Sequence, residues 1–399
     1  MRFDFTSIMD RHGMDAIAVD GVGSGGSAPE PPAPGFDFIP MWVADMNFPV
    51  MPGIQEAIAT RLAHPAFGYF SPREEYLRAI VGWQRDRNGA DELAPEHIGY
   101  ENGVLGGVLS AVSALAAPGD AVLVHSPTYI GFTHALERAG FRIELSPLVR
   151  DAAGTYRMDY DDMDRRLAST RAHVAILCSP HNPTGRVWER AELERAMEVY
   201  AAHGCMVVSD EIWSDIVRPG LAHTPTQLVG ADARERTVAL YAPSKTFNLA
   251  GLVGSYHVIY NPHLRDLVRS RAAKSHYNEM NVLSMHALMG AYTADGRAWV
   301  DELREVVAGN VDAAVGYLSG VPGLRVAAPQ GTYMLWIDCA GWCEEHGRDV
   351  GELLRAGWRV GVGWQDGRPF HGPAHIRMNL ALPRTRVEAA LERLSEHVF

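Results

Sequence analysis

A series of short apolar runs, spaced by helical stretches, limits this chain to few folds. AVLVHSP (121–127), HVAILCSP (173–180), CMVVSDE (205–211), TVALYAPS (237–244) and GSYHVIY (254–260) are rich in Val, Ile and Leu. Runs this short and this continuously apolar read as strands buried on both faces. Between them lie amphipathic stretches such as RAELERAMEVYAAHG (190–204), closed by a glycine that suits a helix stop. The repetition predicts an α/β fold whose sheet is mostly parallel and covered by helices on both faces. Ligands of such sheets bind beyond the carboxyl ends of the strands. The polar residues of this sequence gather there, directly after the apolar runs.

At 399 residues the chain exceeds the size at which one core usually stops growing. We read an N-terminal arm over 1–49 that packs with the small domain, a large domain over 50–290 and a smaller C-terminal α/β domain over 291–399. A long helix over 296–320 leads into the last, whose strands come from GLRVAAPQGTYMLWIDC (323–339) and HIRMNLAL (375–382), and RTRVEAALERLSEHVF closes it as a helix. The Gly/Pro-rich stretch 21–35 reads as a surface loop of the arm.

A net charge of −12, from 36 basic and 48 acidic residues, opposes a nucleic-acid partner. Cys178 and Cys205 sit in apolar runs and read as core residues, while Cys339 and Cys343 lack companions at zinc-site spacing. Such sparse cysteine usage suits a reducing cytoplasm. The first residues lack the apolar core of a signal peptide, and no apolar run reaches the ~20 residues of a membrane span. His371 and His375 are four apart, but Gly372 and Pro373 break any helix that would align them, so no metal is expected. No serine lies in a nucleophile-elbow pattern, Ser126 included. His181 reads as a turn residue at the pocket edge and Glu211 as structural.

Four segments in fixed order carry chemistry: CSPHNPTG (178–185), SDEIW (209–213), APSKTFNLAG (242–251) and HIRMN (375–379). Alone, each has an ordinary reading. A strand-ending Asp caps a helix, Ser-Lys is a solvated loop and a strand Arg is half-exposed. Together, in this order, they resemble the fold-type I pyridoxal-phosphate enzymes of the aminotransferase class I/II superfamily, from about Pro40 to Arg384.

The resemblance implies an aspartate aminotransferase-like large domain, with a mostly parallel seven-stranded sheet between helices, and pyridoxal 5′-phosphate as cofactor. Lys245 would form the Schiff base with the cofactor aldehyde and later move the Cα proton. Asp210 would keep the pyridine nitrogen protonated, Asn182 would donate to the phenolic oxygen beside the substrate, and Tyr129 would stack on the ring. Backbone N–H groups of Gly103, Val104 and Leu105 in ENGVLGGVL (101–109), with Ser244, would hold the phosphate. Tyr69 in HPAFGYF resembles the tyrosine that reaches a neighbouring subunit's phosphate, which implies a homodimer with shared active sites. Arg377 would clamp the substrate α-carboxylate.

MWVADMNFP (41–49), HPAFGYF and RMNLALPR (377–384) narrow the resemblance to the cystathionine β-lyase-like carbon–sulfur lyases. By that likeness, backbone near Val43, Ala44 and Asp45 lies over the substrate carboxylate. The expected reaction cleaves a cysteine S-conjugate or cystathionine-like amino acid to thiol, pyruvate and ammonia. Four departures stand out. Asn47 replaces an Asp, and Trp213 replaces a His or Tyr, where it either donates its N–H to the cofactor or fills the pocket wall. RHGMDAIAVD (11–20) lacks the family's Lys-Trp, and AKSHYNEMN (273–281) carries Tyr277 and Asn278 where small residues are expected. The changes suggest a kept cofactor site and an altered substrate pocket, suited to a bulky S-conjugate from a specialised pathway. Alternatives sharing the same residues are transamination, decarboxylation coupled to oxidative deamination as in lincosamide-type biosynthesis, and a regulator built on this fold.

Overall fold

The computed structural model describes residues 1–274 and 278–399, so Tyr277 lies outside the described residues. Contacts divide the chain into two units. A central unit holds 50–181 and 186–301, and a terminal unit holds 1–49, 182–185 and 302–399. The boundary falls inside the helix Ala294–Leu318, and the turn 182–185 groups with the chain termini.

The main sheet of the central unit has seven strands among the described residues: β1 (Ile98–Asn102), β2 (Ala121–Ser126), β3 (Arg142–Pro147), β4 (Val174–Cys178), β5 (Met206–Asp210), β6 (Thr237–Tyr241) and β7 (Gly254–Val258). They form one sheet in the order β1-β7-β6-β5-β4-β2-β3. The five strands from β6 to β3 are parallel, and β7 runs antiparallel to both β6 and β1. The sheet is thus the mostly parallel one expected.

Successive strand side chains point to opposite faces. Val122 and Val124 of β2 join a core with Val104, Val108 and Val112 of the helix Val104–Leu115. Ala121 and Leu123 join a second core with Leu193 and Met197 of the helix Arg190–Ala202. Two covered faces explain why these strands are continuously apolar rather than alternating. Cys178 and Cys205 pack into these cores. Because β2, β5 and β6 are parallel, Asp210 at the end of β5 and the segments that follow β2 and β6, with Tyr129 and Lys245, lie at the carboxyl ends of the strands.

The terminal unit has an antiparallel sheet of β8 (Arg325–Val326), β9 (Met334–Asp338), β10 (Gln365–Asp366) and β11 (His375–Asn379), ordered β8-β9-β11-β10. The N-terminal arm joins this unit. Ile39 pairs with Val362 in a short parallel bridge, and the Trp42 indole donates to Ala18 O at 2.9 Å. The arm's backbone approaches so closely that a Cβ at Gly361 (φ +80°) would stand 2.1 Å from Asp37 O. Within 21–35, Gly23 N donates to Pro29 O at 2.9 Å and Ala33 N to Arg359 O at 2.9 Å, so the stretch is pinned at both levels.

Candidate active site

The carboxyl ends of β5 and β6 supply the first group of residues. Asp210 is the last residue of β5 and is buried. Burial pushes its carboxyl up to about 7, against the charge of Lys245 and the N–H of Ile212, which donates to Oδ1 at 3.1 Å. A carboxylate held there gains most from a cation that reaches it with a hydrogen bond. A protonated pyridine nitrogen is such a group, so Asp210 fits the expected cofactor.

Lys245 lies in the short helix Pro243–Thr246, with Ser244 half-buried beside it. Its Nζ stands 5.8 Å from the centroid of the Trp213 ring, which is 2% exposed. Trp213 therefore walls the lysine with an aromatic face. Tyr129 caps the helix Ile130–Arg138, half-buried and edge-on to Phe132 at 5.3 Å. A Cβ at residue 131 would lie 2.3 Å from the Tyr129 ring, so Gly131 makes room for it.

Gly103 caps the helix Val104–Leu115 at φ +80°, a conformation that favours glycine. The first N–H groups of a helix have no partner within it. Those of Val104 and Leu105, at the start of a twelve-residue helix, suit an anion. Tyr69 stands apart from these residues, fully exposed in a polar-and-aromatic stretch with Phe67 and Phe70.

The terminal unit holds the second group. Arg377, on β11, is 3% exposed. Its Nη1 donates to Asn182 Oδ1 at 3.0 Å, and its Nη2 donates to Trp42 O at 3.2 Å and to Gln365 Oε1. The guanidinium lies over the Phe370 ring at 4.5 Å. With Oδ1 committed to Arg377, the donor end of the Asn182 amide is Nδ2, the end a phenolic oxygen needs. The turn bearing Asn182 is seated by Gly185, whose carbonyl accepts from Gln330 N at 2.8 Å and Gly331 N at 2.9 Å. A Cβ at Gly185 (φ +70°) would sit 2.3 Å from Pro329 Cβ, which explains the glycine of NPTG.

The segment 41–47 is held by its carbonyls. Asn379 Nδ2 donates to Val43 O at 2.7 Å and Asp45 O at 2.6 Å, and the Tyr333 hydroxyl donates to Ala44 O at 3.1 Å. The Asp45 side chain is taken by Arg11 in a 2.5 Å ion pair, and Arg11 also donates to Asn47 Oδ1 at 3.0 Å. Sequence reasoning missed Arg11, Gln365 and Phe370. Gln365 faces Arg377 directly across β10 and β11, a register that no motif announces. The departure noted in 11–20 was the only signal for Arg11.

The demoted residues have occupied surroundings. Glu211 is buried, with its Oε2 accepting from His223 Nε2 and the Tyr241 hydroxyl, both at 2.7 Å. Burial depresses His181 to about 3, so it is neutral. Among the described residues no cluster of His, Cys, Asp and Glu could hold a metal ion, and no helix is long and apolar enough to cross a membrane.

The profile described as aminotransferase class I and II matches residues 43–394. Cystathionine β-lyase PatB of Bacillus subtilis is 37% identical over 303 residues, covering 76% of this chain and 78% of that protein. The structure is similar to cystalysin of Treponema denticola containing pyridoxal 5′-phosphate, with a TM-score of 0.90, 28% identity and coverage of 99% and 98% of the two chains. It is also similar to the pyridoxal-phosphate-bound C–S lyase of Staphylococcus hominis, with a TM-score of 0.88, 27% identity and coverage of 100% and 99%.

Proposed function

This chain belongs to the aminotransferase class I and II family, and on that premise we propose that it is a pyridoxal-phosphate-dependent carbon–sulfur β-lyase. Its substrate is a cysteine S-conjugate or cystathionine-like amino acid, which with one water yields a thiol, pyruvate and ammonia. The observation that carries the reading is the likeness to a protein named cystathionine β-lyase over 76% of the chain and to a structure named C–S lyase over 100% of it.

When bound, pyridoxal phosphate supplies an aldehyde that condenses with amines and a ring that accepts the electron pair released at Cα. Lys245 would hold that aldehyde through its Nζ, and the same amine is placed to move the Cα proton. Asp210 holds a proton on the ring nitrogen. Its raised proton affinity, caused by burial, matches that duty only when a cation answers it. Asn182 would orient the ring oxygen through Nδ2, and Gly103, Val104, Leu105 and Ser244 would bind the phosphate. Tyr129 covers the ring face. Arg377 holds the α-carboxylate, its plane fixed by Asn182, Gln365 and Phe370. The backbone of Ala44 and Asp45, anchored by Asn379 and Tyr333, borders the same carboxylate.

The enzyme works as a homodimer in which Tyr69 serves the partner's cofactor phosphate. Support comes from the exposure of Leu62, Phe67, Tyr69 and Phe70 in one stretch, an apolar surface that a second copy would cover. Sparse cysteine usage, four in 399 residues, suits a cytoplasmic setting. The test of the reaction is thiol release from a panel of cysteine S-conjugates by the cofactor-loaded protein. Release from at least one member, with pyruvate, is expected. Silence across the panel, cystathionine included, would overturn the proposal.

A further inference from the structure

The residue after Lys245 is tied into a buried network that the reaction above does not use. Thr246 Oγ1 donates to Asp215 Oδ2 at 3.0 Å. Asp215 is 4% exposed and also accepts from the Trp83 indole at 3.1 and 3.2 Å. Arg87 Nε faces it at 3.4 Å and reaches Asp301 at 2.7 Å through Nη1. Phe247, the next residue, is buried among Trp83 at 5.6 Å, Trp299 at 5.4 Å and Tyr292 at 6.3 Å, and Trp83 stacks on Tyr292 at 4.5 Å. The two residues after the lysine are thus fixed by a carboxylate and an aromatic box. Asp215 is itself two residues beyond Trp213, whose ring faces Lys245 Nζ. It joins the segment that carries the ring to the segment that carries the amine.

We propose that Asp215 is a positioning residue for Lys245, acting through the Thr246 hydroxyl. The proposal rests on the reading of Lys245 as the amine that holds the cofactor. A lysine side chain is long and flexible, so the placement of its amine depends on the backbone that bears it. A carboxylate suits the task because its two oxygens accept from several donors at once. Here they accept from an indole and a hydroxyl and face a guanidinium at 3.4 Å, the indole and guanidinium coming from the helix Glu74–Asn88 and the hydroxyl from the segment after Lys245. Arg87 balances the buried charge.

The test compares Thr246→Val, which keeps the shape and loses the hydroxyl, with Thr246→Ser, which keeps the hydroxyl. In the cofactor-loaded protein, Thr246→Val should lower kcat about tenfold or more with KM within about twofold. It should also move the pH midpoint of the lysine-bound cofactor's visible absorbance by more than about half a pH unit. Thr246→Ser should match the parent in both. If Thr246→Val does not fold, Asp215→Asn decides, with the same displaced midpoint expected. A folded Thr246→Val that matches Thr246→Ser in kcat and midpoint would overturn the proposal, and so would an unmoved midpoint in Asp215→Asn. Lys245→Ala separates the premise. If it keeps the parent absorbance, the lysine assignment has failed. If it loses that absorbance while Thr246→Val is silent, only the positioning claim falls.

Discussion

Two adjacent carboxylates at the end of β5 have opposite surroundings. Asp210 receives a hydrogen bond from the Ile212 N–H, and burial raises its carboxyl to about 7. Glu211 is at least as buried. Burial pushes it up too, but the charge and hydrogen bond of His223, the Tyr241 hydroxyl and the Thr226 N–H outweigh that and hold it below the ordinary glutamate value. The fold offsets the burial of one carboxylate with hydrogen bonds and a charge, whereas the charge of Lys245 and one N–H do not offset the burial of the other. Burial alone therefore does not mark a functional acid. The mark is burial that the surrounding charges do not offset, at the carboxyl end of a strand where a ligand can supply a further cation.

The comparison breaks most visibly at the neighbouring amine. Lys245→Ala should lose at least about a thousandfold in kcat, because both the attachment point and the base are gone. Retained turnover would remove Lys245 from the site. Asp210→Asn comes next, with about a hundredfold loss in kcat expected. The parent's stability should depend on pH through the Asp210 carboxyl. A carboxyl raised from 3.8 to about 7 on folding favours the folded state at low pH and costs stability as pH rises across that window. Cofactor-free protein should therefore lose up to a few kcal/mol between about pH 4 and 7. Cofactor loading and Asp210→Asn should each flatten that slope, and pH-dependent melting curves read it directly.

Glu211→Gln sharpens the contrast from the other side. It should cost about 2 kcal/mol of stability by leaving His223 and Tyr241 poorly answered, yet leave the cofactor absorbance unchanged. A changed absorbance with normal stability would reverse the roles given to the two carboxylates. The smallest effect belongs to Tyr69→Phe, where losing one hydrogen bond should weaken cofactor affinity about tenfold. The weakening should be absent if the protein is a monomer, which sedimentation reports independently.

Much of this frame was legible in the sequence, and the exceptions have physical causes. β2, β4, β5 and β6 announced themselves because burial on both faces demands unbroken apolar runs. β1 did not, since IGYEN carries Gly99 where a Cβ would stand 2.3 Å from the His257 ring, and ends in polar residues. The antiparallel sense of β7 was equally invisible, because strand direction is set by the connection and not by the run itself. Asp210, Lys245, Asn182 and Arg377 stood out through their order in four segments. Their supports did not. Gln365 matters through its register with Arg377, Arg11 through its reach to Asp45, and Asp215 through an indole and a guanidinium of one helix and a hydroxyl of a distant segment. Such partners are chosen by tertiary proximity, which periodicity does not encode.

The most direct test of the account is product stoichiometry. A cysteine S-conjugate is incubated with the cofactor-loaded protein in the absence of any keto acid, and thiol, pyruvate and ammonia are quantified together. The account predicts the three in equal amounts, unchanged when a keto acid is then supplied. Products that appear only after the keto acid is added, with a new amino acid formed from it, would contradict it.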